Sequence, residues 1–262
     1  LRIALGVSYN GQAFEGWQSQ ASGKTVQDVL ESALSRFIDQ GPVSTTCAGR
    51  TDAGVHGLMQ VVHFDTEVER VESSWVRGTN TYLPDSVAIQ WARTVPETFH
   101  ARFDARRRRY AYVLLSSPVR PSVEAGRVGW VFRPLSLNAM QAGAQHLLGE
   151  YDFTSFRASQ CQAKSPIKQM VRIDIRQRGS YWCFEFEANA FLHHMIRNIM
   201  GCLIAIGTEQ QPPEWMQTVL QARNRDAAAP TFSPDGLYFL GPVYDAGLNL
   251  PTQTAAFDWL PG

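Results

Sequence analysis

The sequence predicts an α+β fold of two halves, each an antiparallel sheet with helices and each following the order β, α, β, β, α, β. Two observations carry that expectation. Between residues 1 and 95, short runs of apolar residues with period 2 and longer runs with period 3.6 succeed one another in that order. Between residues 110 and 244 the same order returns with longer insertions. The halves share the pattern only, since no sequence similarity between them is visible.

Ile3, Leu5, Val7 and Tyr9 alternate as a strand with one buried face. Thr25 with Asp28 three residues on reads as a capping box. It opens a helix whose Val26, Val29, Leu30, Ala33, Leu34, Phe37 and Ile38 fall on one stripe. A short strand over 45–48 enters the stretch CAGRTDAGVHG, residues 47–57, and a strand over 59–65 leaves it. Val68, Val71, Trp75 and Val76 predict a second helix that ends before Pro84, and Val87, Ile89 and Trp91 a fourth strand. In the second half, residues 110–115 read as a strand and 137–148 as a helix. Two strands over 171–176 and 182–188 meet at a turn on Gly179 and Ser180. Helices over 192–206 and 215–222 precede a closing strand over 238–244. The expected division is a first domain over 1–105, a second over 106–247 and a C-terminal tail over 248–262.

The chain has 262 residues, 44% hydrophobic and 18% charged, a composition that suits a folded soluble protein. No apolar run approaches the roughly 20 residues that span a bilayer, and Leu1 opens straight into a strand pattern, so neither a membrane span nor an export leader is expected. Four cysteines without CxxC or zinc-knuckle spacing point to a reducing cytoplasm. A net charge of zero, taken alone, argues against a nucleic-acid partner. Its distribution answers that objection: Lys24, Lys164 and Lys168 are the only lysines, so the cations are nearly all arginine, the side chain that forks onto phosphate.

Three features can carry chemistry. Asp52 sits among Gly49, Gly54 and Gly57, either as a turn-former bonding its own backbone or as a held anion whose charge the neighbouring Arg50 favours. The run Arg106 to Arg109, followed by Tyr110 and Tyr112, reads equally as a charge-protected edge strand or as a phosphate-neutralising stripe beside an aromatic platform. Arg197 lies off the apolar stripe of its helix, either in water or paired with a buried acid such as Asp52, and Gly201 one turn on allows close approach. His193 and His194 are adjacent and lack the i, i+4 spacing of a helical metal pair. The sequence holds no GxSxG elbow, phosphate loop or dinucleotide fingerprint, so the chemistry rests on carboxylate, arginine, tyrosine and backbone.

GRTDAGVHG resembles the signature of the TruA family of tRNA pseudouridine synthases. FEGWQSQ (14–20), FHARFDARRRRYAYVL (99–114), YDFTSF (151–156), FLHHMIRNIMG (191–201) and PDGLYF (234–239) are similar to its other blocks, in its order, over nearly the whole chain. The resemblance implies two ferredoxin-like halves joined across a central positively charged cleft, a homodimer, action on uridines 38 to 40 of the tRNA anticodon stem-loop, and no metal or organic cofactor. It gives Asp52 the catalytic place, Tyr110 that of the tyrosine packed on the target base, and Arg197 that of the arginine paired with the aspartate. Arg50 and His56 in the matched loop, with Arg107 and Arg109 on the arginine strand, take substrate-binding places. The competing reading is a non-catalytic RNA-binding module on the same halves, with Asp52 a turn residue. Such modules display aromatics on central strands, whereas here the aromatics stand beside an acid loop. An aspartic hydrolase would need a second acid loop, which the sequence lacks.

Overall fold

β1 (Arg2–Tyr9), α1 (Val26–Ile38), β2 (Thr46–Cys47), β3 (His56–Asp65), α2 (Glu72–Asn80) and β4 (Val87–Val95) follow one another in the expected order in a computed structural model that describes residues 1–252. The remainder of the tail read over 248–262 lies outside the described residues. The strands lie in the order β4, β1, β3, β2, every pair antiparallel. β3 is thus inserted between β1 and β2, which α1 connects, and this is the split arrangement of a ferredoxin-like unit. Residues Leu1–Arg108 form one compact unit with the segment that begins at Tyr238, and Arg109–Leu237 form another.

Helix α1 forms where its cap and stripe require. The Thr25 hydroxyl accepts the N–H of Asp28 at 3.3 Å, and the Asp28 carboxylate reaches back to the Thr25 backbone N–H, closing the box, an arrangement that contributes about 1 kcal/mol. Val26, Leu30, Leu34 and Ile38 are buried against Ile3, Leu5, Val7 and Tyr9 of β1. Helix α2 begins later than the apolar spacing suggests: Val71 is its N-cap, without a side-chain bond and largely exposed, and Val68 stands outside the helix. β1 is also buried on both faces rather than one. Ala4 packs with Met59, Val61, Trp91, Val95 and Phe99 in a second core, which Tyr244, Leu248 and Leu250 cover.

β5 (Arg107–Ser116), which belongs to the second unit from Arg109 onward, β6 (Gly129–Val131), α3 (Leu137–Gln145), β7 (Gly149–Asp152), β8 (Ile167–Arg178), β9 (Tyr181–Ala188), α4 (Met195–Gly207) and α5 (Trp215–Ala222) repeat the order with additions. The strands run β5, β9, β8, β7, with β6 parallel to β5. The hairpin β8–β9 turns at Gly179 and Ser180 and buries Ile173, Ile175, Phe184 and Phe186 on one face. Its other face holds the buried Glu185 between Arg172 and Arg176. β10 (Leu237–Val243) closes the second run in sequence order but clusters with the first unit from Tyr238 onward. There it pairs in parallel with β3, Tyr238 opposite His56 and Phe239 opposite Gly57.

Candidate active site

The loop from Ala48 to Val55 links β2 to β3 and carries Arg50 and Asp52. Its backbone is held from several distant segments. The Gln60 side chain takes both polar groups of Gly49, donating to its carbonyl at 2.5 Å and accepting its N–H at 3.4 Å. The Thr51 carbonyl accepts the N–H of Trp17 at 3.0 Å, and its hydroxyl bonds the Tyr9 hydroxyl at 2.8 Å in a buried site. The Asp52 carbonyl accepts the Val55 N–H at 3.1 Å, closing a turn that needs Gly54 at φ +80°. On the outside of the loop runs Gly16, at φ +89°, where an added Cβ would stand 2.8 Å from the Thr51 oxygen.

The loop therefore presents Asp52 half-buried and Arg50 exposed on a backbone with little freedom to move. The turn bond is made by the main-chain oxygen of Asp52. His56, at the loop's end, is buried: its Nδ1 accepts the Gly11 N–H at 2.9 Å and its ring stacks on Tyr238 with centroids 4.7 Å apart. An accepting Nδ1 carries no proton, so the ring proton of the neutral imidazole belongs to Nε2. These contacts make His56 a post for the loop.

The arginine run divides by strand alternation. Arg106 pairs with Asp245, and Arg107 is exposed. Arg108 turns inward, donating to the carbonyls of Ala48, Ala105 and Arg102 at 3.2, 2.9 and 2.6 Å and so tying the arginine strand to the start of the acid loop. Burial pushes the Cys47 thiol up to about 11, against the pull of Arg50 and Arg102, so both guanidinium groups act on the foot of this loop.

In the second unit, Tyr110 is buried in β5 with its ring edge-on to Phe191 at 5.0 Å, and Arg109 precedes it, half-buried. α4 starts at Met195, three residues later than the spacing suggests, because His194 takes a left-handed φ of 61° as its N-cap. Arg197 is half-buried in its first turn. Its Nε donates to the Phe232 carbonyl at 2.8 Å, while its own carbonyl accepts the Phe232 N–H at 3.1 Å. Gly201 permits this approach, since a Cβ there would meet the Pro230 oxygen at 2.4 Å. The structure gathers Arg50, Asp52 and His56 in one loop of the first unit and carries Arg109, Tyr110 and Arg197 in the second. Sequence reasoning missed Gln60, Tyr9 and Gly16. Gln60 left a signal, a fully buried amide inside the apolar run Met59 to Val62.

A family model described as tRNA pseudouridine synthase matches residues 6–104 and 144–245. Asp52 and Arg197 fall inside the matched segments and Tyr110 between them. The chain is 67% identical over 279 residues to tRNA pseudouridine synthase A of Paracidovorax citrulli and 69% identical over 265 residues to that of Polaromonas naphthalenivorans. It is 68% identical over 275 residues to that of Acidovorax ebreus. Each alignment covers 100% of both chains. The chain belongs to the tRNA pseudouridine synthase family.

Proposed function

We propose that the chain isomerises uridine to pseudouridine at positions 38 to 40 of the tRNA anticodon stem-loop, with Asp52 as nucleophile, working as a homodimer in the cytoplasm. The observation that carries the reading is the scaffolding of the acid loop: side chains and backbone from β1, the Gly11–Trp17 segment and β3 converge to fix a stretch that exposes Arg50 and leaves Asp52 half-buried. Positional order of that kind is what a reacting group needs and a turn-former does not. Names of relatives aligned over their full length support tRNA as the substrate. The four free cysteines suit a reducing compartment, and among the described residues no helix is long and apolar enough to cross a membrane.

The reaction breaks the bond from ribose C1′ to N1, turns the base and joins C1′ to C5. The C5 proton leaves and N1 gains one, so atoms and charge balance without oxidant, reductant or cofactor. A carboxylate anion can serve by adding to C1′ or to C6. The target must first leave its stack, at a cost of a few kcal/mol. In this reading Tyr110 packs on the extruded base and its hydroxyl takes the C5 proton. Arg197 supplies the positive charge that pairs with the Asp52 carboxylate, and its Nε bond to Phe232 fixes the guanidinium. Arg50, Arg107 and Arg109 hold phosphates, and His56 acts through the loop it supports. Incubating the protein with unmodified tRNA and mapping pseudouridine by nucleotide position tests the assignment. Conversion confined to 38, 39 and 40 is expected, and conversion elsewhere in the tRNA would overturn it.

A further inference from the structure

The loop from Phe99 to Arg106 presents one large apolar side chain to solvent: Phe103 is 74% exposed. A single exposed phenylalanine is unremarked on most surfaces. Here the backbone that carries it is fixed at nearly every residue. Ala101 donates its N–H to His63 Nδ1 at 3.1 Å and accepts the Tyr244 hydroxyl at 2.6 Å. The His100 N–H donates to Asp104 at 2.8 Å, and His100 Nδ1 accepts the N–H groups of Arg102 and Phe103, each at 3.2 Å. The Arg102 carbonyl is held by Arg108 at 2.6 Å, and Arg106 pairs with Asp245. These bonds fix the backbone at residue 103 on the surface of the loop.

The ring also has a backing. The His100 imidazole stacks on it with centroids 4.0 Å apart at 26°, and the Arg102 guanidinium lies 5.8 Å from its centroid. Arg50, Arg102 and Arg107 are exposed in the same unit, and Arg50 and Arg102 share an influence on Cys47 at the foot of the acid loop. An aromatic face with one side supported and a guanidinium beside it is the equipment of a single-stranded nucleic-acid site, where bases stack and phosphates are neutralised.

We infer that Phe103, backed by His100 and flanked by Arg102, is a stacking platform for an unpaired base of the tRNA substrate, making it a substrate-positioning residue. The inference rests on the RNA-modifying reading above. Binding of tRNA is measured for the wild type, Phe103→Ala, Phe103→Trp and Arg102→Gln across a range of salt, with product formation and oligomeric state followed on the same samples. Phe103→Ala is expected to bind about tenfold or more weakly with an unchanged salt slope, and Phe103→Trp to restore affinity. Arg102→Gln should reduce the salt slope by about one. Wild-type affinity in Phe103→Ala overturns the platform while leaving the enzyme reading intact. A change of oligomeric state in Phe103→Ala assigns the ring to a second copy of the chain and overturns it equally. If the wild type binds tRNA but makes no pseudouridine, it is the functional reading that fails, and the binding series still decides the role of Phe103.

Discussion

Replacing Gly16 by alanine isolates the contribution of loop position to the reaction, because Gly23 provides a matched control. Both glycines have positive φ, +89° and +67°, so alanine at either meets the left-handed penalty of about 1–2 kcal/mol. At Gly23 an added Cβ has nothing within 4 Å. At Gly16 it would lie 2.8 Å from the Thr51 oxygen and 3.3 Å from both the Ala53 nitrogen and the Asp52 carbonyl carbon. Those are backbone atoms, and reaching ordinary contact requires a shift of roughly half an ångström. Gly16 itself is held by the Val26 N–H on its carbonyl at 3.2 Å, and its neighbour Trp17 by Thr51, so the strain passes into the acid loop. If a 1 Å misplacement costs about a hundredfold, half of that costs about tenfold in kcat. The assay pairs urea unfolding with single-turnover conversion of tRNA. Gly23→Ala should lose about 1 kcal/mol of stability and keep its rate, whereas Gly16→Ala should lose more stability and about tenfold in rate. Equal rates in the two variants would refute the claim that the position of this loop governs catalysis.

Tyr110→Phe should bind tRNA as the wild type does and lose turnover, while Tyr110→Leu should lose binding as well, by about 1–3 kcal/mol; identical behaviour of the two variants in a filter-binding and turnover comparison would contradict the stacking and proton-transfer roles. Burial, together with the nearby charges of Arg2 and His100, pushes His63 down to about 4, and its neutral Nδ1 accepts the Ala101 N–H. Because the folded state disfavours the proton, this group's stabilisation is complete above pH about 6.5 and is lost as pH falls toward 4, by no more than about 3 kcal/mol. Urea midpoints from pH 7 to 4 should fall less steeply for His63→Gln than for the wild type, and parallel curves would remove His63 as the source.

The parts of the fold legible in the sequence are those specified by neighbouring residues. Thr25, Asp28 and the stripe from Val26 to Ile38 write α1 in full, and α5 spans Trp215–Ala222 as its pattern requires. β6 and β7 are three and four residues long, too short for a period to declare itself. The start of α4 was hidden because Leu192 continues the apolar stripe while the backbone reverses at His194. The second buried face of β1 was hidden because Ala4 and Gly6 are small, and it is Trp91 and Met59, far along the chain, that fill the space above them.

The acid loop announced itself locally, by placing Arg50, Asp52 and His56 among glycines. Its supports did not, since Tyr9 meets Thr51 across 42 positions and Gly16 meets the loop only after the sheet has formed. The four adjacent arginines read equally as an edge strand or a phosphate stripe, because the partners that separate them are distant: Arg108 binds backbone carbonyls that include Ala48, and Arg106, just ahead of β5, pairs with Asp245.

The most direct measurement is the conversion of uridine in unmodified tRNA by Asp52→Asn, followed as a mass-neutral change of base at enzyme concentrations that saturate binding. The substitution keeps the size of the side chain and removes its charge. The account predicts tRNA affinity within a few-fold of the wild type and no pseudouridine, even in a single turnover. Product formed by Asp52→Asn at a rate near the wild type's would show that the carboxylate at position 52 does not carry the reaction.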